Sequence, residues 1–358
     1  MPLTLPPTPI HPGDRISVAI SGGADATALL LLVHAANTLP RNSLGIGLSA
    51  VHINHSLRAE ESDADQAFVE ALCAKLEIPL RLHTVDTRQH AETHNETLEE
   101  AARNLRYAYF RELIASNREK ILTAHTLDDQ AETVLMKLLR GAWLEGLSAI
   151  APELVVPNGS ILRPLLNTRR ADLRAYLESR NQPWREDSSN SDESFTRNRL
   201  RATILPVLRQ ENPSIDQTLA NLAELAREEE SRWQTELNKL LPQLILPGKP
   251  VRGGGRTNST LPGSQVRAIE LDRLSQLDPA LRRRIVRAAA RQLGCRLSFD
   301  ETTRILTLAG LPPSGLADPT IPTKPGSKLQ LSQSLIAERS PRELRLSIVL
   351  PSPPREQR

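Results

Sequence analysis

At 358 residues the chain is too long for one typical domain and suits two or three, with the composition of a soluble globular protein. A net charge of +3 and a pI near 9.0 do not argue for a nucleic-acid partner, so any basic surface must be local. Two distant cysteines, Cys73 and Cys295, exclude a disulfide framework and a local cysteine zinc or iron–sulfur site, and fit a reducing compartment.

Taken in order, residues 1–13 read as a Pro-rich extended tail without the basic and apolar regions of a signal peptide. No apolar run approaches the ~20 residues that span a membrane, so a cytoplasmic location is expected. Residues 16–20 are an apolar, β-branched run short enough to be a buried strand. Ser21-Gly22-Gly23 follows, and residues 24–32 have helix-forming composition. Strand, glycine turn and helix start present backbone N–H groups and a helix dipole to an anion. Gly22 and Gly23 allow close approach of a phosphate, Ser21 adds a hydroxyl, and Asp25 can hold a metal or its water shell.

Further strands are expected at 46–53, 80–85 and 121–124, with helices at 61–76 and 96–116 and another starting near Asp128. Strands alternating with helices indicate a doubly wound parallel sheet, whose ligands bind at the carboxyl ends of the strands. Beyond it come a strand-like 161–166, a helix over 169–180 and another from about Thr196. Residues 213–241 read as a connecting amphipathic helix, and 242–263 as a flexible Pro/Gly loop. The remainder, 264–358, is expected to be a smaller, mostly helical domain. It has helices at 277–293 and about 300–308, and a terminal edge hairpin of 329–332 with 344–349. In the first of these helices Arg282, Arg283, Arg284, Arg287 and Arg291 read as largely outward, a candidate contact for a phosphate backbone.

A second chemical block is His125-Thr126-Leu127-Asp128-Asp129-Gln130-Ala131-Glu132-Thr133. On a helix Asp128 and Glu132 share a face, as do Asp129 and Glu132. Carboxylates grouped at a strand end can coordinate Mg²⁺ with phosphates, or hold and deprotonate an amine. Thr126 with Asp129 also fits a capping box.

The first loop is neither a Walker A sequence nor a dinucleotide fingerprint, and its Ser-Gly-Gly-X-Asp order resembles the loop of the N-type ATP pyrophosphatases. The second block, with Arg140-Gly141 and Gly146-Leu147, resembles the tRNA(Ile)-lysidine synthetase branch. So do residues 51–58, ending in Arg58, then Ala102-Arg103-Asn104-Leu105-Arg106-Tyr107 and Arg163-Pro164-Leu165-Leu166. Asp187-Ser188-Ser189-Asn190 with Arg197, Asn198 and Arg201 completes the set, which spans residues 16–208.

The resemblance implies a PP-loop catalytic domain over 14–212 and a tRNA-contacting domain over 264–358. It implies ATP and Mg²⁺ as cofactors, with free lysine and a CAU-anticodon isoleucine tRNA as partners; a homodimer stays open. Ser21, Gly22, Gly23, Ala24, Asp25 and Ala26, with His52 and His125, would hold the nucleotide, and Asp25 and Asp128 the metal. Arg103 or Arg106 would neutralise phosphate, and Glu132 with Asp128 or Asp129 would bind the amine. Arg58, Arg140, Arg197, Asn198 and Arg201 would meet tRNA. The loop departs from the family in Asp25-Ala26-Thr27, where Asp-Ser is usual, and Asn54 stands where Asp is usual. A thiolase of the same superfamily, or a tRNA-binding protein without catalysis, is the competing reading.

Overall fold

A computed structural model of the chain describes residues 3–40, 43–57, 59–186, 196–250, 256–257, 265–312 and 318–348. They form two compact units, Met1–Glu230 and Ser231–Arg358.

In the first unit β1 (Arg15–Ala19) leads into α1 (Ala24–Asn37), and β2 (Gly47–Asn54) into α2 (Ala59–Lys75). Then come β3 (Leu80–Thr84), α3 (Thr87–His94), α4 (Leu98–Leu113) and β4 (Glu119–Leu122). After α5 (Leu127–Leu139) and the short α6 (Leu144–Leu147), β5 (Glu153–Val156) and β6 (Gly159–Leu162) form a hairpin. α7 (Arg170–Ser179) follows. The helix expected from Thr196 is α8 (Thr196–Arg199), a π-helical turn (Leu200–Ile204) and α9 (Leu205–Glu211). The helix expected over 96–116 is shorter, because Thr97 closes a capping box with Glu100 that fixes its start.

The sheet runs β3-β2-β1-β4-β6-β5, parallel except for the edge strand β5. Successive residues feed opposite faces, as the period of two requires. Ile16, Val18, Ala50, Leu122 and Leu162 enter the core with α1, α2 and α7. Val51, Ile121 and Ile161 meet Tyr107, Phe110 and Ile114 on the other side. Strand order reverses between β1 and β4, which puts the switch point between the loop after β1 and the turn into α5.

α10 (Ile215–Leu244) begins in the first unit and ends in the second. It passes through Pro242, which sequence reading took as the start of a flexible loop. So close to the C-terminus the missing N–H costs one hydrogen bond and the helix ends within the same turn. Strands then occupy part of the expected loop: β7 (Ile245–Pro247), and β8 (Lys249–Pro250) paired with β9 (Arg256–Thr257).

The second unit continues with β10 (Val266–Glu270), α11 (Leu271–Ser275), α12 (Pro279–Arg291) and α13 (Phe299–Leu308). It ends in β11 (Lys328–Gln330), β12 (Leu335–Arg339) and β13 (Glu343–Ile348). The expected terminal hairpin is part of a five-stranded antiparallel sheet, β11-β12-β13-β10-β7, so this unit holds more strand than expected. β13 lies inside that sheet, and the partner of β11 is β12, five residues too short to stand out in sequence. Arg284 departs from the outward arginine face: it is buried, with its guanidinium 4.7 Å from the Trp233 ring. Among the described residues no helix is long and apolar enough to cross a membrane.

Candidate active site

One cavity of about 790 Å³ opens at the switch point, a size ordinary for a ligand site. Ser21, Gly23, Ala24, Asp25 and Ala26 line one side; Thr123, His125, Asp128 and Asp129 line another. His55, Arg106, Arg170, Arg185, Arg197 and Arg201 complete the charged wall.

α1 starts bare. Its N-cap is Gly23, with no side-chain hydrogen bond to the first turn, and the one first-turn acid, Asp25, is drawn to Arg170. Gly22 sits at φ +88°, a conformation that side chains resist. A Cβ there would come within 3.3 Å of the Phe68 ring and 3.4 Å of the Arg185 stem. The Gly22 carbonyl accepts from the Arg185 N–H at 2.9 Å and the Thr27 hydroxyl at 3.3 Å. Thr27 is therefore buried and tied to the loop, and does not supply the hydroxyl that Ala26 lacks.

α5 starts sealed. The Thr126 side chain accepts from the Asp129 N–H, and Asp129 Oδ2 accepts from the Thr126 N–H and hydroxyl, each at 2.9 Å. The remaining carboxylate capacity goes to arginines. Asp129 Oδ1 accepts from Arg170 Nη2 at 2.9 Å, and Asp25 Oδ2 from Arg170 Nε at 3.0 Å. Asp128 Oδ2 accepts from the Arg170 backbone N–H at 2.9 Å, and Oδ1 from Arg209 Nη2 at 3.0 Å. Arg209 also reaches the buried Asp216.

Glu132 is wholly buried and does not line the cavity. It accepts from Arg201 Nε at 2.7 Å and Arg197 Nε at 2.8 Å. A carboxylate so placed depends on its cations, and removing one partner of a buried pair costs about 3–5 kcal/mol. Glu132 is therefore not presented to an amine as expected, while Arg197 and Arg201, expected to meet tRNA, bind this carboxylate and also line the cavity.

Burial pushes the Asp25 carboxyl above its ordinary range against the pull of Arg170. Burial acts the same way on Asp129, but Arg170, Arg197 and the Thr126 N–H outweigh it and hold that carboxyl low. Burial takes His125 and His55 down to about 4, so both imidazoles are neutral near pH 7. Arg106 projects into the cavity and makes no ion pair among the described residues, which leaves its charge for a ligand.

Asp25 Oδ1 is buried without a partner, an oxygen suited to a hard cation. Both Asp128 oxygens are already bonded, so only Asp25 of the expected metal pair has an oxygen to give. Among the described residues no three His, Cys, Asp or Glu gather as a metal cage. Mg²⁺ does not need one, since it is commonly bound through one or two carboxylates plus substrate phosphates. Asp25 fits that arrangement.

Other expected residues lie off the cavity. His52 is buried behind the loop, its Nδ1 2.9 Å from the Ile20 carbonyl, where it supports the loop without facing a nucleotide. Arg103 is exposed and stacks on Tyr107 at 4.8 Å. Arg140 is exposed at the C-cap of α5. Asn198 stands on α8 beside Arg197 and does not line the cavity. Arg58 and Asp187-Ser188-Ser189-Asn190 lie outside the described residues.

Sequence reading missed Arg170, Arg209, Asp216, His55 and Arg185. One local signal for Arg170 was available: it opens α7, where a cation opposes the helix dipole and calls for nearby anions.

A parallel sheet with a bare glycine loop at its switch point defines a nucleotide-binding α/β domain. The chain belongs to the family described as PP-loop domain (ATP_bind_3), which matches residues 6–208. It is 37% identical over 305 residues to the tRNA(Ile)-lysidine synthase of Solibacter usitatus, covering 84% of this chain and 62% of that protein. To that of Geobacter sulfurreducens it is 34% identical over 338 residues, covering 93% and 65%. The chain thus spans less than two thirds of the length of these relatives. Among solved structures, the U34-tRNA thiolase NcsA of Methanococcus maripaludis superposes with a TM-score of 0.52 at 16% identity. That match covers 63% of this chain and 76% of the thiolase, and shows the fold alone.

Proposed function

We propose that this chain ligates free lysine to C2 of the wobble cytidine of a CAU-anticodon isoleucine tRNA, using ATP. The observation that carries the reading is one cavity walled by a bare helix N-terminus and by arginine-bound carboxylates. The named relatives support the substrate. In the first half-reaction the cytidine C2 carbonyl oxygen attacks the α-phosphate of ATP and pyrophosphate leaves. In the second, the lysine ε-amine attacks the adenylated C2 and AMP leaves.

The roles follow from placement. Ser21 and the N–H groups at the start of α1 hold the pyrophosphate portion. Asp25 would hold Mg²⁺, which supplies charge neutralisation at the phosphates when bound. Arg106, without a carboxylate partner among the described residues, would meet the charge that develops on phosphate. Asp129 faces the cavity, and its carboxylate, held ionised by Arg170 and Arg197, would attract the incoming lysine ammonium.

The competing sulfur-transfer reading needs a reactive thiol at the site. Cys73 and Cys295 are both buried and absent from the cavity wall, and burial pushes the Cys73 thiol up to about 11.

The test is incubation with ATP, Mg²⁺, labelled lysine and the CAU tRNA. Label retained on the tRNA, dependent on ATP and lost in Asp129→Asn, is the expected result. Pyrophosphate release with no lysine retained would keep the nucleotide chemistry and discard the lysine assignment.

A further inference from the structure

We infer that Arg170 is the positioning residue that holds the nucleotide loop and the carboxylate helix at one fixed separation. This rests on reading the cavity as the ATP site. The guanidinium spans two elements distant in sequence: Nε binds Asp25, at the start of α1, at 3.0 Å. Its Nη2 binds Asp129, at the start of α5, at 2.9 Å, and its Nη1 lies 3.6 Å from Glu132. The Arg170 main chain adds a bond from its own N–H to Asp128. One residue thus reaches Asp25, Asp128, Asp129 and Glu132.

The two side-chain bonds come from different nitrogens of a rigid planar fork, so together they fix both a distance and an angle. A lysine ammonium carries the same charge but presents it at one point, and cannot hold both carboxylates in these directions. The arrangement also leaves one oxygen of Asp25 without a protein partner, since Arg170 takes Oδ2 and Oδ1 has none. Arg170 therefore decides which oxygen Asp25 turns toward a ligand.

Replacement leaves much of the surroundings intact. The Asp128 bond comes from main chain and survives any side chain at 170 other than proline. Glu132 keeps Arg197 and Arg201, and Asp129 keeps its capping box. The chain is thus expected to fold with Lys or Gln at this position.

The experiment compares Arg170→Lys and Arg170→Gln with wild type in three readouts. These are kcat and KM for lysine attachment, equilibrium binding of ATP, and hydrogen exchange of residues 21–26 and 127–133 without ligand. Misplacement on the scale of an ångström costs roughly 100-fold in rate, so both variants should lose about that in kcat while ATP affinity stays near wild type and the melting temperature falls no further than for the loss of one buried ion pair. Exchange should rise at both segments together. Full rescue by Lys would overturn the inference, because charge alone would then suffice. A fall in melting temperature and ATP binding in proportion to kcat would also overturn it, leaving a merely structural role. Should wild type attach no lysine, the proposed reaction fails, and the exchange measurement still decides the clamp: unchanged exchange at either segment overturns it.

Discussion

Two helices start at the same cavity, and they start in opposite ways. α1 begins at Gly23 with no side-chain cap, at a loop held open by a positive φ at Gly22. α5 begins at Thr126 inside a closed capping box, and its first-turn acids are bound to arginines from later in the chain. A helix N-terminus carries about half a positive charge, which either receives a ligand anion or is satisfied internally. The first start is therefore built to receive phosphate, the second to hold carboxylates still. What separates them is one residue type at the cap position.

The largest effect that would break this contrast comes from Gly22→Ala. An L residue at φ +88° is strained, and the new Cβ presses on Phe68 and Arg185. The added side chain obstructs the phosphate cradle itself and should weaken ATP binding, and displacing the loop by about an ångström should cost roughly 100-fold in rate. Titration of ATP into the folded variant checks this, and undiminished binding would mean that the loop is not the phosphate site.

Asp129→Asn comes next. It removes the anion that Arg170 and Arg197 face, and should lower the unfolding free energy by roughly 3 kcal/mol along with the loss of lysine attachment. Denaturant midpoints of the two proteins measure the stability part. A smaller change is expected of Thr126→Ala, which unseals α5 for about 1 kcal/mol. ATP affinity should not move, since the phosphate end is elsewhere; a parallel loss of ATP binding would erase the distinction between the two starts.

The smallest effect concerns pH. The folded-state pKa of His55 is depressed from 6.5 to about 4, so the unfolded chain takes its proton first as pH falls. This contribution to stability is fully present above about 6.5 and is lost progressively between there and about 4. Unfolding midpoints of wild type and His55→Phe should accordingly diverge less at pH 5 than at pH 7.5.

Both helix starts were legible in sequence, because each is local: a strand, then Ser-Gly-Gly, and a strand, then Thr-Leu-Asp-Asp. The partners of those residues were not. Arg170 and Asp25 lie 145 residues apart, and Arg209 and Asp128 lie 81 apart, so no window of sequence holds both ends of either pair. The same limit hid Glu132, whose spacing puts it on the face of the aspartates but says nothing of the arginines that cover it. The resemblance put His52 at the nucleotide, yet its ring turns back to the Ile20 carbonyl. In the second unit β7, β10 and β12, of three to five residues, were obscured by size, since so short an alternation is shared by loops and helices.

The most direct test of the account counts pyrophosphate released and lysine attached in the same reaction with CAU tRNA. One for one, with neither product when the tRNA is omitted, is the result expected if the bare start of α1 and the clamped start of α5 serve one cavity. Pyrophosphate released at the same rate without tRNA or lysine would contradict it, because the two ends would then not share a reaction.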